Sequence, residues 1–181
     1  MIVAAVLQGA CSSPSIAAAQ RPLDASRERG ASAIYAAVLQ RAWHNQTDAP
    51  LLQRETEPLQ GCAGFLPKLT GEWADVAKDF QRQNARERTL PPALPTTIRY
   101  RLITRAEIQA DDARLARKYP GGWQRRPESM EYWAVSAVGF NRDRTKSMVY
   151  VRSRMSGGVV RLEFKDGKWG DAAGETCGWI A

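Results

Sequence analysis

The sequence predicts an α+β domain in which about three helices pack on one face of a C-terminal antiparallel β-meander. Three observations point there. Apolar residues recur at helical spacing through the first two thirds of the chain, and they alternate with period two after residue 131. The strand-like runs are separated by short turns, which suit antiparallel neighbours.

Asp24 is placed to cap a first helix, along which Ala31, Ile34, Tyr35, Val38, Leu39 and Ala42 build one apolar stripe, with Trp43 extending its end. Residues 45 to 70 hold Pro50, Pro58, Gly61, Gly64 and Pro67, so they read as turns with a short strand at Leu51 to Thr56. A second helix follows Thr70, with Trp73, Val76, Ala77 and Phe80 on one face. It ends near Asn84, because Pro91, Pro92 and Pro95 forbid continuation. Thr97 to Ile103 alternates as a strand. Thr104 and Glu107 then have the spacing of a capping box for a third helix, with Ile108, Leu115 and Tyr119 inward and Pro120-Gly121-Gly122 as its stop.

The last third is β. Glu131 to Phe140 places Tyr132, Ala134, Ser136, Val138 and Phe140 on one face, and Trp133, Val135 and Ala137 on the other. Residues 141 to 144 turn into a strand at Ser147 to Ser153, and Ser156-Gly157-Gly158 turns into Val159 to Phe164. Asp166-Gly167 is a hairpin centre, and a short strand at Trp179-Ile180 completes the sheet.

Composition limits the function. The chain has 181 residues, 44% hydrophobic and 25% charged, which suits one globular domain. One histidine, His44, and three cysteines exclude zinc fingers and multi-histidine metal centres. No phosphate-binding glycine motif and no EF-hand spacing occurs, so no cofactor and no metal are expected. The net charge is +7, and residues 81 to 161 concentrate 17 cations against 7 anions. Such a basic middle suits an anionic lipid surface or an acidic polymer, and the alternative is a merely solvated surface.

Residues 1 to 22 read as a targeting segment and tether, leaving residues 23 to 181 as the domain. The short apolar stretch Ile2 to Leu7, then Gly9-Ala10-Cys11-Ser12, has the form of a bacterial lipoprotein signal in which Cys11 is lipidated and ties the protein to a membrane. Gln8 departs from that pattern and no cation precedes the apolar run, which is explained if translation starts upstream of Met1. Ala17-Ala18-Ala19 offers an ordinary cleavage site instead. With Cys11 set aside, Cys62 and Cys177 form an even pair suited to a disulfide in an oxidising compartment; the alternative is two buried thiols.

Several motifs stand together: Ser136-Ala137-Val138-Gly139-Phe140-Asn141, Val149-Tyr150-Val151, Asp166-Gly167-Lys168-Trp169, and upstream Tyr35 to Leu39 and Asp79 to Asn84. Over residues 34 to 181 they resemble a family of small bacterial exported proteins and lipoproteins of uncharacterised function. The resemblance implies an envelope protein and brings no catalytic residues with it. The chain departs from the family between Gly122 and Met130, where a shorter, glycine-rich bend is expected.

Three kinds of site are open. Cys62 with His44 is the one thiol–imidazole combination for a nucleophilic hydrolase, although Cys62 lies in a loop with no third residue to orient the histidine. Glu55, Glu57, Asp111, Asp112 and Glu131 are candidates for an acid–base pair and equally for surface charges. A binding patch is expected at Trp123, Arg125 and Arg126 together with Tyr150, Arg152 and Arg154, which share one side of a strand. The expectation is therefore a non-enzymatic binding or accessory module of the bacterial envelope, on the periplasmic side, with no nucleic-acid partner. The alternatives are a small envelope hydrolase or a cytoplasmic nucleic-acid binder.

Overall fold

The computed structural model describes residues 17–43, 48–62, 64–120, 129–174 and 176–180, the first nine of these by backbone alone. Helix α1 (Ala17–Trp43) is followed by strand β1 (Leu51–Gln53), a 3-10 turn at Leu66–Lys68, helix α2 (Glu72–Gln83), strand β2 (Arg101–Ile103) and helix α3 (Arg105–Lys118). Then come β3 (Tyr132–Val135), β4 (Gly139–Phe140), β5 (Lys146–Arg152), β6 (Ser156–Lys165), β7 (Lys168–Asp171) and β8 (Gly178–Ile180).

The strands form one mostly antiparallel sheet in the order β2-β1-β3-β5-β6-β7, with β4 on β5 and β8 on β6. The α+β class predicted from the pattern is what the chain adopts, but the sheet is not confined to the last third. β1 runs parallel to both β2 and β3, so two short strands from the helical half extend the meander. Both fall inside the runs expected to be extended, Leu51 to Thr56 and Thr97 to Ile103, but so short a strand does not show in advance which neighbours it pairs with.

The helices divide between the two sheet faces instead of sharing one. Ile34, Tyr35, Val38, Leu39 and Trp43 of α1 pack with Val149 and Val151 of β5, while Val76, Ala77 and Phe80 of α2 pack with Met148 and Tyr150. Ile108 of α3 joins Tyr132 and Ala134 in a third cluster, and register places Ala134 opposite Arg152, on the side of Tyr150. With both faces covered, β5 is apolar from Met148 to Val151, and Met148, Val149 and Tyr150 are fully buried.

Local chemistry explains each boundary. At α3 both halves of the capping box form: the Thr104 hydroxyl accepts from the Glu107 N–H, and Glu107 accepts from the Thr104 N–H at 2.7 Å. α2 starts after Gly71, with Glu72 and Asp75 in its first turn and Arg82 in its last, as the helix dipole favours. The β6–β7 turn has Asp166 at φ 52° and Gly167 at φ 77°, the positive-φ pair that a tight hairpin needs. α1 begins at Ala17, so Asp24 lies inside the helix instead of capping it, and the expected boundary at residue 22 falls within α1.

One irregularity shapes the rest. Val135 pairs with Val151 and Gly139 with Met148, so one extra residue is accommodated between β3 and β4 opposite β5. This is a bulge, and it reverses the alternation beyond it. Tyr132 and Ala134 face α3, whereas Val138 and Phe140, expected on their side, join the α1 cluster. Ser136 holds the bulge: its N–H donates to the Tyr150 carbonyl at 2.9 Å and its hydroxyl accepts from the Tyr150 N–H at 2.8 Å.

Candidate anion-binding cleft

The bulged segment docks onto the end of α2, and the contacts come from two motifs far apart in sequence. Asp79 accepts from the Phe140 N–H at 2.9 Å. Asn84 donates to the Ala137 carbonyl at 3.0 Å and accepts from the Ala137 N–H at 2.9 Å. Gly139 lies against Phe80, so closely that a Cβ there would stand 2.5 Å from the Phe80 Cβ. Asn141 then closes the β4–β5 turn, its carboxamide oxygen accepting from the Lys146 N–H at 2.8 Å.

Asp79 organises the charges around this seam. Its side chain is 8% exposed and pairs with Arg27 of α1 and with Arg82 one turn along α2, while Gln83 donates to it at 3.2 Å. Burial alone would raise its pKa, but the Phe140 N–H and the two guanidinium groups outweigh burial and hold the carboxyl below its ordinary range. Arg27 also lies 5.7 Å from the Phe140 ring centroid. One carboxylate thereby ties α1, α2 and the bulge together.

Around this tie lies a cleft of three lobes that share Arg27 as a wall. Arg27, Arg82, Arg86, Arg88, Arg142, Arg144 and Lys78 line it, against the carboxylates of Glu28, Asp75 and Asp79. Asp79 is already paired, and Asp75 lies 3.8 Å from Lys78. Among the described residues no carboxylate pairs with Arg86, Arg88, Arg142 or Arg144. Arg144 sits at φ 60° and donates to Ser26 on α1 at 2.7 Å, which fixes its position at the mouth. Four guanidinium groups with no carboxylate partner among the described residues give the cleft the chemistry to hold anions, since arginine presents forked donors to carboxylate or phosphate oxygens.

Beneath the α1 side the cleft deepens into a cavity of about 440 Å³ walled by Ala31, Tyr35, Pro91, Pro92 and Val138, with Arg27, Glu28 and Arg88 among its polar residues. Tyr35 is buried and its hydroxyl donates to the Ser136 carbonyl at 3.1 Å. Burial pushes this phenol far above its usual range, with Arg88 opposing only in part, so it stays a neutral donor.

The predicted site residues fare differently. Tyr150, Arg152 and Arg154 do share one side, but that side faces inward, which corrects the expected open patch. Tyr150 is fully buried and its hydroxyl accepts from the Trp179 indole at 2.8 Å. Arg152 pairs with Glu57 at 2.8 Å. Arg154, with 5% of its side chain exposed, bonds Asp112 at 2.6 Å and Asp111 at 3.2 Å. Both arginines flank the Tyr132 ring, at 5.8 and 5.1 Å from its centroid. Alternation predicts a common side but not which layer covers it.

Of the carboxylate candidates, Glu57, Asp111 and Asp112 are counter-ions to arginines. Asp111 is not a solvated surface charge but is 9% exposed and receives the Met130 N–H at 3.0 Å. Glu55 accepts the Arg105 N–H at 2.9 Å, and Glu131 is exposed. Cys62 is bonded to Cys177, with Cα atoms 5.9 Å apart, so its sulfur is not a free nucleophile and the thiol-hydrolase reading is corrected. Cys11, His44, Trp123, Arg125 and Arg126 lie outside the described residues.

Among the described residues no three histidine, cysteine or carboxylate side chains gather to hold a metal ion, and no helix is long and apolar enough to cross a membrane. The cleft itself was foreshadowed only as a basic stretch; the docking of residues 79–84 on 137–141 brings its arginines together. No protein-family model, curated protein or solved structure matches this chain.

Proposed function

We propose that this chain is an exported protein of the bacterial envelope, anchored through Cys11, that works without catalysis by binding an anionic lipid surface or an acidic envelope polymer. The observation that carries this reading is the cleft with four arginines that have no carboxylate partner among the described residues. Such a surface attracts polyanions at long range and holds them by charge-assisted hydrogen bonds. The Cys62–Cys177 disulfide supports an oxidising compartment, and the motif resemblance to small exported proteins points the same way.

The test has two arms. Cells fed a clickable fatty acid should label the wild type and not Cys11→Ser; an unlabelled wild type refutes the anchor. The purified chain should bind phosphatidylglycerol vesicles or polyglutamate in low salt and release them as salt rises, because exposed charge contacts are screened over about 8 Å at physiological ionic strength. Arg142→Ser combined with Arg144→Asn should weaken that binding about tenfold. Binding indifferent to salt and to both substitutions would refute the cleft as the site.

A further inference from the structure

The cavity under α1 does not fit a polymer or a head group alone. Half of its lining is apolar, with Pro91, Pro92, Val138 and the Tyr35 ring among it, and the other half is polar. At about 440 Å³ it lies within the ~300–1,000 Å³ typical of small-molecule sites. Its charged lining residues are Arg27, Glu28 and Arg88. The Arg88 guanidinium spends Nε on the Gln83 carbonyl at 3.3 Å and one terminal nitrogen, Nη2, on the Gln83 carboxamide oxygen at 2.6 Å. Gln83 therefore fixes its orientation while leaving its charge unneutralised, and Nη1 has no hydrogen-bond partner among the described residues. Arg27, across the opening, is already paired with Asp79. A half-apolar cavity holding one oriented guanidinium with no carboxylate partner among the described residues suits a molecule with an apolar chain and one acidic end, the head placed on Arg88 and away from Glu28, the one carboxylate in the lining.

We infer that this cavity binds a single-chain anionic amphiphile, with the chain against Tyr35, Pro91, Pro92 and Val138 and the acidic head on Arg88. The inference rests on the cleft being an anion site but is narrower, since the cavity selects a free monomeric amphiphile and the outer arginines serve extended anions. The arrangement also sets selectivity: an uncharged chain forfeits the Arg88 contact, and a cationic one meets that charge directly.

The test is isothermal titration of the full chain with decanoate and decyltrimethylammonium below their micelle concentrations and decanol below its solubility limit, with phosphatidylglycerol vesicles as a separate arm. Decanoate should bind saturably with one site, decanol at least tenfold more weakly, and the ammonium compound more weakly still. Arg88→Gln should weaken decanoate about tenfold and leave decanol unchanged. Ala31→Phe, which fills the chamber, should abolish decanoate binding while vesicle binding persists. If Ala31→Phe fails to fold by circular dichroism, the decanoate-to-decanol ratio in Arg88→Gln decides. Vesicle binding without decanoate binding overturns the amphiphile inference and leaves the outer cleft standing. Absence of both overturns the two together, and equal binding of decanoate and decanol overturns the role of Arg88.

Discussion

Asp79 is the residue on which the cleft depends most. It is buried, accepts a backbone N–H, and pairs with two arginines from different helices. Asp79→Ala should destabilise the fold by about 3 kcal/mol, measured by urea denaturation, because it strands a buried N–H and an inward arginine. The pH dependence has a definite sign. Asp79 and Glu57 both have folded pKa values below their ordinary ones: burial opposes this for each, but hydrogen bonds from Phe140, Arg27 and Arg82, and from Arg152 for Glu57, prevail. Their contribution is complete above the unfolded carboxyl values of roughly 3.9 and 4.3 and is lost as pH falls through the lower folded values. The urea midpoint should therefore stay level from neutrality to about pH 5 and fall below pH 4. Asp79→Asn should flatten that fall. Gly139→Ala makes the complementary test, since its Cβ would stand 2.6 Å from the Phe80 backbone nitrogen. Backbone cannot yield as a flexible side chain does, so a loss of about 2 kcal/mol or more is expected in the same assay.

Among elements, α3 and the β6–β7 hairpin are the most locally determined. Thr104→Ala removes one side of the capping box and should cost about 1 kcal/mol in thermal denaturation. These elements were legible in the sequence for the same reason: the cap spacing and the Asp-Gly pair act over three or four residues. α2 was legible because its apolar stripe of Val76, Ala77 and Phe80 is clean. The bulge after Val135 was not legible. Ser136, Ala137 and Val138 continue the alternation in writing, and only the match to β5 reveals the extra residue. That hidden step carried Phe140 to the other sheet face, and with it the cleft. Tyr150, Arg152 and Arg154 were placed correctly relative to one another, but their exposure depended on α2 and α3 covering that side.

At the scale of the whole molecule, the disulfide joins the loop before α2 to the residue just ahead of β8 across 115 positions. Closing so long a loop restricts the unfolded chain by roughly 4–5 kcal/mol in the chain-entropy account. Replacing both cysteines by serine should lower stability by up to that amount, read from denaturation with and without reductant. The pairing itself was legible from cysteine parity, while the anion cleft was not, because its arginines come from three separate segments. The disulfide also bears on β6. On its side away from β5, β6 meets β8 at Ser156 to Gly158, donates from Val159 to the Cys177 carbonyl, accepts from the Ala172 N–H at Arg161, and meets β7 from Leu162 to Lys165. The longest strand thus has its rim occupied along nearly its whole length by two short pieces of the same chain. A neighbouring molecule finds no extended row of vacant amides there on which to grow a fibril, so resistance to intermolecular β-stacking rests on β7 and β8 staying pinned in place.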